Sequence, residues 1–111
     1  MTRGLPTVGE RARRFTLEMP VETPDGFGGV IRTWQAGPQV WGAMQMLTAS
    51  ERIRAGRPEA VVTHRAVLPF REGVTDAVRL TLGLRRFRIA AAADPDGSRR
   101  HLVCLLEEMR P

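Results

Sequence analysis

Lysine is absent from this chain. All 17 basic residues are arginine, set against 12 acidic ones in 111 residues, for a net charge of +5. Two explanations stand side by side. GC-rich coding yields arginine, alanine, glycine and proline together, whereas an excess of positive charge favours an anionic partner, nucleic acid above all, through steering and counterion release. The arginines are spread along the chain, with small clusters at Arg11, Arg13 and Arg14 and at Arg52, Arg54 and Arg57. Tyrosine is absent too, and four Phe and two Trp are few aromatics for a surface that stacks on bases. The single cysteine, Cys104, excludes an internal disulfide and a cysteine-rich metal site, and its strand-like neighbours make it a small buried hydrophobe. No apolar run is long enough to span a bilayer, and Met1 to Arg14 lacks the apolar stretch of a signal peptide, so a cytoplasmic product with no membrane partner is expected.

Catalytic groups are equally scarce. His64 and His101 fall in two different strand-like runs, where a histidine on a polar face is ordinarily just solvated. No HxxxH, CxxC or paired-carboxylate spacing points to a metal. Asp94 and Asp96 are interleaved with Pro95 and followed by Gly97, which makes a turn the plainer reading than an oxygen-ligand pair. The expectation is a protein that is not an enzyme, with no catalytic, metal or cofactor-binding residues.

What is present is punctuation and alternation. The glycine cluster in Glu22 to Trp34, ETPDGFGGVIRTW, poses a choice between a phosphate cradle and a tight turn. A cradle must follow a strand and open a helix. Here Val30 to Trp34 is β-branched and aromatic, and no Lys-Ser/Thr pair follows Gly29, so Asp25, Gly26, Phe27, Gly28 and Gly29 read as a hairpin tip. After a flexible-looking segment over 1–10, Arg14 to Met19 alternates as a half-buried strand that Pro20 ends. Val30 to Trp34 and Val40 to Met46 follow as separate strands with a turn at Gly37-Pro38. Ala60 to Phe70, Val78 to Leu82, Arg86 to Ala90 and His101 to Leu106 complete the set, the middle pair placing arginines on an outer face. The pattern breaks only over 46–59, a polar insertion that reads as a long loop or one or two helical turns. The fold class expected is all-β: one domain over 1–111, a small antiparallel β-barrel of about six to seven strands with one long insertion.

The order of these segments resembles the head-tail joining proteins of tailed phages, also called head-completion or stopper proteins, and is most similar to those of alphaproteobacterial gene transfer agents. The resemblance runs from about Arg11 to Glu108. It is carried by the glycine hairpin closed by Thr33-Trp34, the Trp41-Gly42-Ala43 strand, the insertion around Ser50-Glu51, the Thr63 to Arg71 strand, Arg86-Phe87-Arg88-Ile89 and the Asp96-Gly97 turn. Where the family often ends its long strand in an aromatic plus an arginine, this chain has Leu68-Pro69-Phe70-Arg71. The resemblance implies a homo-oligomeric ring, a hexamer by family expectation, in the neck of the particle between the portal with its adaptor and the tail with its terminator. It also implies that the insertion, with Ser50, Glu51, Arg52, Arg54 and Arg57, faces the channel and its double-stranded DNA or docks on the next ring. The hairpin from Asp25 to Gly29 would contact a neighbouring subunit or ring. The competing expectation is a solitary OB-type nucleic-acid-binding barrel with Arg32, Trp34, Arg86, Phe87 and Arg88 as a basic aromatic groove.

Overall fold

The computed structural model describes residues 12–50 and 62–110. Six strands form: β1 (Arg13–Pro24), β2 (Val30–Met46), β3 (His64–Pro69), β4 (Arg79–Leu82), β5 (Arg85–Ala93) and β6 (His101–Met109). They close into a barrel in the order β1-β2-β3-β6-β5-β4, every neighbour antiparallel. Closure comes from the pairing of Thr16, Leu17 and Glu18 on β1 with Thr81, Leu80 and Arg79 on β4.

Alternation decides what lies inside. Phe15 and Leu17, Ala66 and Leu68, Leu80, Phe87 and Ile89, and Leu102, Cys104 and Leu106 all turn inward and form one core with Val74 and Val78. Ala43, Leu47, Val62 and Val67 are buried as well, with Ala43 paired to Val67 across β2 and β3. The short connection between β4 and β5 uses Gly83 at φ +61°, which leaves its companion Leu84 in solvent. After β5, Asp94 closes the next turn by accepting from Gly97 N at 3.1 Å and Arg99 N at 2.8 Å, while Asp96 accepts from Ser98 N at 3.0 Å. These carboxylates organise a turn, as the Asp-Pro-Asp-Gly sequence indicates.

Several expected boundaries change. Gly37-Pro38 is not a turn: Val30 to Trp34 and Val40 to Met46 belong to one 17-residue strand, β2. The register shifts between Thr16 and Glu18, so Leu17 stands opposite both Gly37 and Pro38 in a β-bulge, where proline's missing N–H is tolerated. Gly37 is needed there because a Cβ would approach the Leu17 carbonyl oxygen to 2.9 Å. Pro20 likewise fails to end β1, since past Glu18 the strand has β2 on one side only and a strand edge accepts proline. Met46 is the last residue of β2, so the insertion leaves the barrel after it, and β3 begins at His64. Leu47 N donates to Thr63 O at 2.9 Å, which ties the two ends of the insertion together. Residues 51–61 and the N-terminal segment 1–11 lie outside the described residues.

His64 is not solvated. It is 5% exposed, packs edge-on against Phe87 with ring centroids 5.4 Å apart, and its Nδ1 lies 2.8 Å from Thr63 Oγ1. Inward parity with Ala66 and Leu68 places it in the barrel wall's lining, which a polar-face assignment from the local sequence misses.

Candidate functional site

Beyond Glu18 on β1 and before Ala36 on β2, the barrel gives way to a two-stranded arm. Its six pairs run from Met19–Gln35 to Pro24–Val30, and no described strand flanks either side of them. At about 3.3 Å per residue the arm projects roughly 20 Å, and the molecule measures 57 × 30 × 28 Å. Apolar side chains stand in solvent along it: Val30 is 61% exposed, Ile31 55% and Phe27, at the tip, 94%.

The tip answers the glycine question. Gly26 and Gly28 sit at φ +85° and +84°, where a side chain is strained. Asp25 N donates to Gly29 O at 3.1 Å, and the Asp25 carboxylate Oδ1 accepts from Phe27 N at 2.7 Å and Gly29 N at 3.0 Å. The N–H groups that a phosphate would require are already held by a carboxylate, whose charge repels an anion. All five predicted tip residues, Asp25, Gly26, Phe27, Gly28 and Gly29, are thus brought together in one turn.

Where the arm meets the barrel, polar and aromatic groups interlock. Arg79 Nε donates to Glu18 Oε1 at 2.6 Å, and its guanidinium lies 4.2 Å from the centroid of the Trp34 ring. Arg32 bridges across the arm to Glu22 at 2.7 Å. A groove of ≈ 390 Å³ runs beneath, between Trp34 and Pro20 on the arm and Val78, Arg88 and Met109 on the barrel. Trp41, half exposed, carries Arg14 at 4.8 Å from its ring centroid. Both tryptophans therefore lie on the surface, not in the core. Of the five residues expected to form an OB-type groove, Arg32, Trp34 and Arg88 line the one beneath the arm, but Phe87 is fully buried, Arg79 covers Trp34, and Arg32 and Arg88 pair with Glu22 and Glu107.

β2 carries the arm at one end and the insertion at the other. Ser50 is exposed, in helical backbone geometry with Ala49, and its Oγ lies 3.3 Å from Thr48 Oγ1. Glu51, Arg52, Arg54 and Arg57 lie outside the described residues. Near that end of the barrel, Arg85 makes a two-pronged bridge to Glu108, at 2.8 and 2.9 Å, and this hydrogen bonding holds the Glu108 carboxyl below its ordinary range. The arm's length, the Arg79 stack on Trp34 and the buried His64 escape sequence reasoning, because each depends on partners distant in the chain. The clue that was available for the arm is the unbroken β-propensity of Val30 to Gln35.

Comparison with known proteins places these features in context. The family described as phage head completion protein matches residues 7–109. The solution structure of protein SF1141 from Shigella flexneri 2a superposes with a TM-score of 0.71 at 26% identity, over 86% of this chain and 90% of that one. A chain from the virion of a native gene transfer agent particle superposes with a TM-score of 0.64 at 28% identity, over 87% of this chain and 94% of that one. Among curated proteins, none matches.

Proposed function

The chain belongs to the phage head completion protein family, and from that premise we propose that it is a structural connector of a tailed phage or gene transfer agent particle. It forms a ring in the neck, joins the portal and its adaptor to the tail, and helps to retain packaged DNA. Its work is done by surfaces rather than by catalysis.

The observation that carries this reading is the arm. A two-stranded hairpin is marginally stable by itself in water, and this one leaves Val30, Ile31 and Phe27 exposed. It becomes a sound structure once a neighbour covers it. Because β2 bears the arm at one end and the insertion at the other, the barrel offers a contact element on each side, as a part seated between two others requires. The likeness to a chain of a gene transfer agent virion supports a place within such a particle.

The insertion supplies the second contact. Ser50, Glu51, Arg52, Arg54 and Arg57 are gathered by the ring around one axis, where the arginines meet DNA phosphates without regard to sequence. Imaging of intact particles tests the assembly: several copies of this chain arranged as a closed ring at the neck are expected, and a neck with none, or with a single copy, would refute it.

A further inference from the structure

The two edges of the arm are not equivalent. The bond from Asp25 N to Gly29 O sets the phase of the ladder. Alternation then makes Thr23–Ile31 and Val21–Thr33 the hydrogen-bonded pairs, and turns the backbone groups of Pro24–Val30, Glu22–Arg32 and Pro20–Trp34 outward. Both arm prolines fall in the outward set, where a missing N–H breaks nothing within the arm. The β1 edge therefore offers three carbonyls but only one N–H, that of Glu22. The β2 edge offers both an N–H and a carbonyl from each of Val30, Arg32 and Trp34. Charge follows the same division: Glu22 is the one charged residue from Met19 to Pro24, and Arg32 the one from Val30 to Gln39.

We propose that the arms of neighbouring copies join edge to edge, the β2 edge of one copy pairing with the β1 edge of the next, so that the ring carries a second, intermolecular β-sheet. This rests on the ring assembly proposed above and specifies its contact. Pairing β1 with β1 sets carbonyls against carbonyls and Glu22 against Glu22, and symmetric pairing of β2 with β2 about Arg32 sets like charges together. Pairing β2 with β1 matches donors to acceptors and Arg32 to Glu22. Direction agrees as well. Rotation about an axis along the arm leaves each strand's direction unchanged, so β2 of one copy meets β1 of the next antiparallel. The contact is heterologous and can continue from copy to copy until the ring closes, while the prolines prevent stray growth through β1 edges alone.

The absence of lysine permits a direct test. In particles carrying Arg32→Lys, the substituted position holds the sole lysine of this chain, and a zero-length carbodiimide couples its amine to a carboxylate in contact. Covalent multimers of this chain are expected, joined by linkages from Glu22 to the new amine that isotope mixing shows to be between copies. Linkages only within single chains, or to a different neck protein, would overturn the pairing. Amide exchange on unaltered particles provides an independent reading. The Arg32 and Trp34 amides should exchange about tenfold or more slowly in assembled particles than in dilute isolated protein, while Ile31 and Thr33 are protected in both. Equal exchange of Arg32 and Trp34 in the two states, with the ring visible by imaging, would overturn the edge pairing and leave the ring standing. A neck without the ring would overturn both.

Discussion

At Gly42 the backbone of β2 passes so close to β3 that a methyl group has no room. A Cβ there would lie 2.8 Å from the Val67 carbonyl oxygen and would also meet Leu68 Cδ2. Because a carbonyl in a paired strand cannot move aside, Gly42→Ala should destabilise the barrel by about 1–3 kcal/mol in thermal or urea denaturation. Gly28 presents the opposite case: a Cβ meets nothing within 4 Å, but φ is +84°. Gly28→Val should therefore cost on the order of 1 kcal/mol through backbone strain alone and leave nucleotide affinity untouched, since the tip is no cradle. Measured nucleotide binding that a folded Gly28→Val variant loses would reverse that assignment. Cys104 lies wholly in the core, and burial pushes its thiol up to about 12. A folded value above the unfolded one means that this stabilisation is complete below roughly pH 8.5 and declines as pH rises toward the folded value. A thiol-specific reagent at about pH 8, just below the ordinary thiol range, should accordingly leave native protein unlabelled and react on unfolding. Labelling at the rate of a free thiol in native buffer would contradict the core placement.

Among the elements, the arm separates local from assembled stability. The Val30 N–H points outward and that of Ile31 points to Thr23, so two adjacent proline substitutions should differ in kind. Ile31→Pro removes a bond within the arm, a loss of about 1 kcal/mol, and should speed amide exchange along Val21 to Thr33 in isolated protein. Val30→Pro should leave that exchange unchanged while lowering incorporation into particles, because it strips a donor from the open edge. Faster exchange in both variants, or in neither, would show that the ladder has another phase. Much of the element list was legible beforehand: Arg86 to Ile89, His101 to Leu106 and the Asp25 to Gly29 hairpin announce themselves by alternation and turn residues. The stops at Pro20 and Gly37-Pro38 misled because a proline carries the same local signature whether it ends a strand or rests on an edge or bulge. Only the partner strand distinguishes them.

For the whole molecule, the separation of arm and insertion at opposite ends of β2 predicts separable functions. Changing Arg52, Arg54 and Arg57 together to glutamate should leave the barrel's melting temperature within about 2 °C of the original, since none of the three falls within the six strands that build the core. Particles bearing the triple variant should leak DNA or fail to join tails. Normal DNA retention with normal tail joining would show that the insertion is neither gate nor docking surface. Charge reversal at the insertion should also leave the arm linkages between copies intact, because the arm and the insertion join β2 at its opposite ends.

By itself the sequence determined the β class, the inward set of apolar residues, the hairpin tip and the poverty of catalytic groups. These properties are local: a period of two selects a face, and a glycine at positive φ selects a turn, whatever lies across the sheet. Tertiary structure alone decided which edges met. The closure of β1 on β4 joins Glu18 to Arg79, and that of β3 on β6 joins His64 to Leu106, contacts between distant segments that no turn specifies. They form because the apolar faces of the hairpins must cover one another, and curling the sheet shut buries Phe15, Phe87 and Leu106 while removing most of its free edges. The arm remains outside because its strands run on past their barrel partners, β4 beside β1 and β3 beside β2, leaving the edges that a neighbouring copy can take up.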